Sequence, residues 1–105
     1  MKYGLHGKLD AAPGKGKALA AILLEAAQLV AKSKGCHIYL VSQVAEALDE
    51  VWITEAWDSK EEHDASLQNP AVRALIGKAM PLIGSPPKKG QELEILGGLG
   101  ISNPE

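Results

Sequence analysis

The sequence predicts an α+β domain whose single sheet is covered by helices on one side and by a second copy of itself on the other. Three observations carry this reading. The hydrophobic pattern runs strand, helix, strand, strand, helices, strand along 105 residues. Strands 36–44 and 51–57 are apolar on both faces: Ile38, Leu40 and Val44 oppose Tyr39 and Val41, while Val51 and Ile53 oppose Trp52 and Ala56. Two buried faces need two covering layers, and the helices of so short a chain suffice for one. The second layer is expected from an obligate homodimer with sheet packed on sheet.

Each element has its own signal. Tyr3, Leu5 and Leu9 alternate with Lys2, His6, Lys8 and Asp10, the period of a half-buried strand. Pro13-Gly14 breaks it, with Pro13 suited to a first helical position. Leu19, Ile22, Leu23, Ala26, Leu29 and Val30 then recur at helical spacing. Lys32 and Lys34 read as its last turn and Gly35 as its C-terminal cap. Residues 36–44 and 51–57 are rich in Val, Ile, Tyr, Trp and Thr, and the polar run Glu46-Ala-Leu-Asp49-Glu50 between them reads as a hairpin loop. Ser59 and Glu62 form a capping-box pattern, and Asn69-Pro70 restarts the helix as cap and first residue. Val72, Leu75, Ile76 and Ala79 line one face of that last helix, which is expected to end near Pro81. Gly84–Gly90 is a loop, 92–96 a final strand, and Gly97-Gly98-Leu99-Gly100 closes the fold before a short tail. No repeat or internal boundary interrupts 1–105, which is read as one domain.

Composition removes several classes of function. A net charge of −2 leaves no basic footprint for nucleic acid, and the lysines are scattered rather than gathered for a membrane surface. The most apolar stretch, 18–31, contains Glu25 and Gln28 and is too short to span a bilayer. Lys2 to Asp10 reads as a strand, not a leader peptide. A lone Cys36 has no partner for a disulfide within the chain, suits a reducing cytoplasm, and is expected to act as a small apolar filler.

The chemistry-bearing segment is Glu55-Ala-Trp57-Asp-Ser59-Lys-Glu61-Glu62-His63. It places a carboxylate, an indole and an imidazole around the joint of a strand and a helix. Such a group suits proton transfer near neutral pH, because an unperturbed imidazole titrates near 6.5. A carboxylate buried at Glu55 needs a partner, and it is expected either to orient His63 or to pair with Arg73. Trp57 is read as core or as pocket wall, and Tyr39 as a pocket hydroxyl or a core ring. Trp52 joins them as a third flat wall for a ring. His6, His37 and His63 lack metal-site spacing, and Gly14-Lys-Gly-Lys17 lacks that of a phosphate-binding loop.

Pro13-Gly14-Lys15, Lys34-Gly35-Cys36-x-x-Tyr39, Glu55-x-Trp57-x-Ser59-x-Glu61-x-His63, Pro70-x-Val72 and the late Gly97-Gly98-Leu99-Gly100 stand in an order that resembles the antibiotic biosynthesis monooxygenase family. The resemblance covers nearly the whole chain and is strongest to the small quinol-monooxygenase-like members. It implies a ferredoxin-like α+β sandwich that pairs into a dimeric α/β barrel, with a pocket between sheet and helices in each subunit. It also implies oxygenation of a small aromatic, a hydroquinone or polyphenol, by dioxygen without metal, flavin or haem. In that scheme His63 accepts a phenolic proton, Glu55 orients it, and Tyr39, Trp52 and Trp57 hold the ring. Many relatives carry a second histidine where this chain has Ser66, a departure that bears on activity. The haem-degrading relatives need tryptophan at Ser66 and an iron-ligating histidine at Ile76, so haem chemistry is disfavoured. Two alternatives use the same pocket: a non-catalytic dimeric small-molecule binder, and a polyketide cyclase or isomerase that consumes no oxygen.

Overall fold

In the computed structural model, which describes residues 2–101, four antiparallel strands form one sheet and three helices lie against one of its faces. The elements are β1 (Lys2–Asp10), α1 (Gly16–Val30), β2 (Cys36–Val44), β3 (Ala47–Trp57), α2 (Lys60–Ser66), α3 (Pro70–Ala79), a single 3-10 turn (Met80–Leu82) and β4 (Gln91–Ile95). The sheet order is β2-β3-β1-β4, so β3 lies between the two strands that α1 connects. This is the ferredoxin-like α+β fold. The short tail expected after Gly100 lies, beyond Ile101, outside the described residues. No helix among the described residues is long and apolar enough to cross a membrane.

The period of two in β1 and β3 decides what faces the helices. Their register pairs Tyr3 with Trp57, Leu5 with Glu55, Gly7 with Ile53 and Leu9 with Val51. Directly paired residues share a face, so these eight positions form one surface. The helices bury that surface in two clusters. Leu19, Ala20 and Leu23 of α1 pack with Val51 and Ala79, and Leu9, Val41, Ile53 and Ile83 close around them. Val30, Trp57 and Val72 form the second cluster, flanked by Tyr3, Tyr39 and Cys36. Cys36 reaches this side together with Tyr39 because the ladder shifts register between Cys36 and Ile38. It is a half-buried thiol whose pKa burial pushes up, in line with a packing role.

The opposite face has no covering element among the described residues. Leu40 and Leu93 stand 56% and 46% exposed there. His6 stacks on Trp52 with ring centroids 4.8 Å apart, and its Nδ1 lies 2.9 Å from Thr54 Oγ1.

Several boundaries differ from the sequence reading. The run 46–50 is not a hairpin loop: β3 begins at Ala47, and only the turn at 45–46 separates it from β2. Asp49 explains its polarity, because its carboxylate accepts from the Gly14 and Gly16 backbone N–H groups, each at 2.9 Å. It thus caps α1 from another strand, and those two bonds hold its own pKa below the usual carboxylate value. Pro13 accordingly lies before the helix, in a turn, and α1 starts at Gly16. At the other end α1 stops at Val30, so Lys32 and Lys34 fall beyond its last turn. Gly35, at φ +85, belongs to the turn that enters β2. Both later caps form as expected. Ser59 Oγ accepts from Glu62 N at 3.2 Å, and Asn69 Oδ1 accepts from Ala71 N at 2.9 Å.

Gly16 sits where α1 meets the β2–β3 hairpin, and a Cβ there would run into the Leu48 carbonyl oxygen. Backbone on one side and a helix on the other leave no side chain free to yield. Gly16→Ala should therefore destabilise the fold by about 3 kcal/mol, at the upper end for overpacking. Urea unfolding checks this, and a midpoint equal to that of the parent would refute the close-approach account.

Candidate active site

Between the two core clusters the helices stand away from the sheet and leave a cavity of about 260 Å³. Its walls come from every layer: Ile53 and Leu9 from the sheet, Ile22, Ala26 and Val30 from α1, Leu75 and Ala79 from α3. Only Tyr39, Glu55, His63 and Ser66 interrupt this apolar lining. Sealed and dry, such a void would cost roughly 6 kcal/mol, a large share of the stability of a small domain. Its mouth lowers that figure, since Leu67, Ile76 and Met80 of the lining are also exposed.

Glu55 reaches the cavity because it follows Val51 and Ile53 on the helix-facing side of β3. It is only 9% exposed. Trp57, two residues on and therefore on the same side, donates its indole N–H to Glu55 Oε1 at 3.0 Å. The carboxylate thus has a donor where water is scarce. Burial pushes its pKa above the ordinary 4.5, opposed by the Trp57 bond and by the nearby His63.

His63 comes from the first turn of α2, which Ser59 anchors directly after β3. The residue is also 9% exposed, its ring edge-on to Trp57 at 5.7 Å and 5.6 Å from the ring of Tyr3. Nδ1 lies 2.9 Å from Asp64 Oδ1, and Nε2 lies 3.8 Å from Glu55 Oε1. The first distance is a hydrogen bond and the second is not. With Asp64 accepting from Nδ1–H, a neutral ring keeps its lone pair on Nε2, beside Glu55. Asp64 is held below its usual pKa by that bond and by Lys60, so it stays an acceptor.

This corrects the roles read from the sequence in three ways. The partner that orients His63 is its neighbour Asp64, while Glu55 faces the opposite ring nitrogen. Trp57 is fully buried and supports Glu55 from behind instead of lining the cavity. Trp52 is one residue out of phase with Ile53 and lies on the far face of the sheet, stacked on His6 and donating to Glu50. Arg73 is exposed, and it makes no ion pair with Glu55.

Tyr39 does line the cavity. Burial, then the Glu55 charge, pushes its pKa up, so it remains a neutral donor. Ser66 donates to the His63 carbonyl oxygen at 2.6 Å, the habit of a helical serine, and its hydroxyl hydrogen is thereby committed. Tyr3 was legible only as a strand residue. Its pairing with Trp57 brings it to His63, and its hydroxyl donates to Glu92 at 2.9 Å, with a pKa pushed up to about 12 by burial and by that carboxylate. Among the described residues no three His, Cys, Asp or Glu side chains converge to hold a metal ion.

The family profile described as antibiotic biosynthesis monooxygenase matches residues 3–78. The chain belongs to the antibiotic biosynthesis monooxygenase family. A crystal structure from Chloroflexus aurantiacus J-10-fl, named as a candidate member, is 43% identical over 97% of this chain and 100% of its own, with a TM-score of 0.86. One from Deinococcus radiodurans, named in the same way, is 27% identical over 98% of this chain and 100% of its own, at TM-score 0.77. A Nitrosomonas europaea structure at 15% identity covers 93% of this chain and 90% of its own, at TM-score 0.82, and shows the shared fold. No curated protein matches the chain. Family membership supports activity of the monooxygenase type in general terms.

The buried carboxylate makes a prediction about stability. Because Glu55 has a raised pKa in the folded state, folding takes up a proton just above 4.5, and stability falls as pH rises through that window. Glu55→Gln keeps an oxygen for Trp57 and removes the titration. Urea unfolding between pH 4 and 7 should show a flatter pH profile for the variant, and identical profiles would place the Glu55 pKa at its ordinary value.

Proposed function

We propose that the protein is a cofactor-independent monooxygenase acting on a small phenol or hydroquinone. The observation that carries this reading is an apolar cavity whose few polar lining groups include a proton acceptor, His63, with Glu55 3.8 Å from its Nε2. A phenolic hydroxyl at that end donates to Nε2, and Glu55 beside it stabilises the imidazolium that results. Tyr39 donates to the phenolate oxygen and holds the charge in a site poor in water. The apolar walls accept the ring.

Deprotonation makes the substrate its own electron donor, which is the work a cofactor otherwise performs. A hydroquinone anion passes one electron to dioxygen. The superoxide and the ring radical combine into a new carbon–oxygen bond, and the peroxide then loses water. Hydroquinone plus dioxygen becomes hydroxyquinone plus water, the four electrons coming from the ring. The protein's tasks are to take the first proton, hold the anion and keep bulk water away.

The reading includes a homodimer formed by the uncovered sheet faces. Leu40, Leu93 and the His6–Trp52 stack make an apolar and aromatic surface with no cover among the described residues. Packing two such faces would leave the cavities on the outer, helical sides.

A second reading has one observation in its favour. Ser66 stands where many relatives carry another histidine, and its hydroxyl is turned to the His63 carbonyl. With one base fewer, the cavity also suits a protein that binds an aromatic without changing it. Recovery of an intact ligand after aerobic incubation would favour that reading.

Two measurements test the proposal. Metal-free protein should consume oxygen with at least one member of a hydroquinone panel, and His63→Ala should lower that rate about a hundredfold or more. Absence of uptake across the panel, or equal rates for the variant, would remove the oxygenase assignment. Leu40→Asp should convert the dimer to monomer in sedimentation equilibrium, since it places a charge within the packed faces. A parent protein that sediments as a monomer would remove the dimer.

A further inference from the structure

The cavity is polar at one end and apolar at the other. Its polar groups all attach to the second core cluster: Tyr39 packs in it, Glu55 is bonded to its Trp57, His63 lies edge-on to Trp57, and Ser66 is bonded to His63. The lining residues Ile22, Leu23, Ile53, Ala79 and Ile83 belong instead to the first cluster. Along α1 the lining runs from Val30 to Ile22, eight residues or about 12 Å. Along α3 it runs from Val72 through Ile76 and Ala79 to Met80, in the same sense. Beyond Met80 the wall continues as Ile83 and the exposed Pro87 of the loop before β4. From Ala26 to the Met80–Pro87 rim the lining offers no side-chain hydrogen-bond donor or acceptor.

A lone phenol would fill little of this space. A cavity of 150 Å³ holds benzene, about 25 Å³ per carbon, and this one, at about 260 Å³, leaves room for roughly four further carbons. A substituent there has only hydrocarbon to meet, and a polar one would lose its water without compensation. The exposed, apolar rim of Ile76, Met80 and Pro87 allows a longer chain to leave towards solvent.

From this gradient we infer that the ligand is an amphiphilic phenol, its hydroxyl at His63 and Tyr39 and an unbranched or lightly branched hydrocarbon substituent opposite it, running past Ile53 and Ile22 to leave beside Met80. The inference rests on the phenol-binding part of the function proposed above, and on no step of its chemistry. It assigns Ile22, Ile83 and Met80 as specificity-determining positions. Within the proposed reaction the substituent also orients the ring, since a tail anchored at the apolar end allows only the far hydroxyl to meet Nε2.

The test uses 4-alkylphenols from methyl to octyl, which bind without needing to be oxidised, with titration calorimetry on the intact protein. Affinity should rise about threefold to fourfold per methylene over the first four or so carbons, then level off as the chain passes Met80 into water. Met80→Lys, an exposed position that the fold does not depend on, should flatten the rise for the longer members. Analogues hydroxylated on the tail, 4-(hydroxyalkyl)phenols, should lose most of the gain. Affinity that is flat or falls with chain length, or a rise identical in Met80→Lys, overturns the inference. Oxygen uptake with 2-alkylhydroquinones, run in parallel, separates the two claims. A chain-length gain in binding without uptake removes the oxygenase reading and supports this one. Uptake with unsubstituted hydroquinone and no chain-length gain does the reverse.

Discussion

One carboxylate on one strand organises this molecule. Glu55 occupies a position that strand alternation sends into the helical side of the sheet, in line with Val51, Ile53 and Trp57. A charge there is tolerated only with a donor, and Trp57, two residues further on, supplies it. The indole is in turn fully buried between the helices, so it cannot turn away. The Glu55–Trp57 pair is thus a rigid floor, and the imidazole of His63 is set against it by the start of α2. The strand that builds the core therefore also builds the polar end of the cavity.

The cavity follows from how the core is divided. A small domain would ordinarily draw its helices onto the sheet and close every gap, because voids cost stability in proportion to volume. Here α1 and α3 grip the sheet at two points, around Leu19 and Val51 and around Val30 and Trp57, and span the distance between. The two ends then serve different purposes. One supplies the polar groups and the other a hydrocarbon channel, which together match a molecule with a hydroxyl at one end and carbon at the other.

The two faces of the sheet divide the chemistry of the chain. Odd-numbered residues of β3 face the helices and the cavity, and even-numbered ones carry Trp52 and Thr54 to the side that lacks a cover. An aromatic residue one position out of phase is thereby excluded from the cavity however well its ring would suit an aromatic ligand. Caps reinforce the frame at a distance: Asp49 ties the start of α1 to the β2–β3 hairpin, and Ser59 starts α2 within two residues of Trp57.

Local chemistry alone determined the order of the elements, the caps at Ser59 and Asn69, and the two-faced strands, because hydrophobic period and hydrogen-bonding side chains act within a few residues of chain. It also singled out Glu55, Trp57 and His63 as a group, since a strand–helix joint brings neighbours in sequence together. Tertiary structure decided the rest. The polar run at 46–50 became strand because Glu50 pairs with Asp10 of β1 and Ala47 with Val44 of β2, and Asp49 found its partner thirty-three residues away in the Gly16 N–H. Trp52 was separated from Trp57 by the phase of β3, and Asp64 rather than Glu55 became the hydrogen-bonding partner of His63. The cavity itself, and its division into a polar and an apolar end, depends on where α1 and α3 come to rest on the sheet. That is a property of packing between distant segments, and no window of sequence contains it.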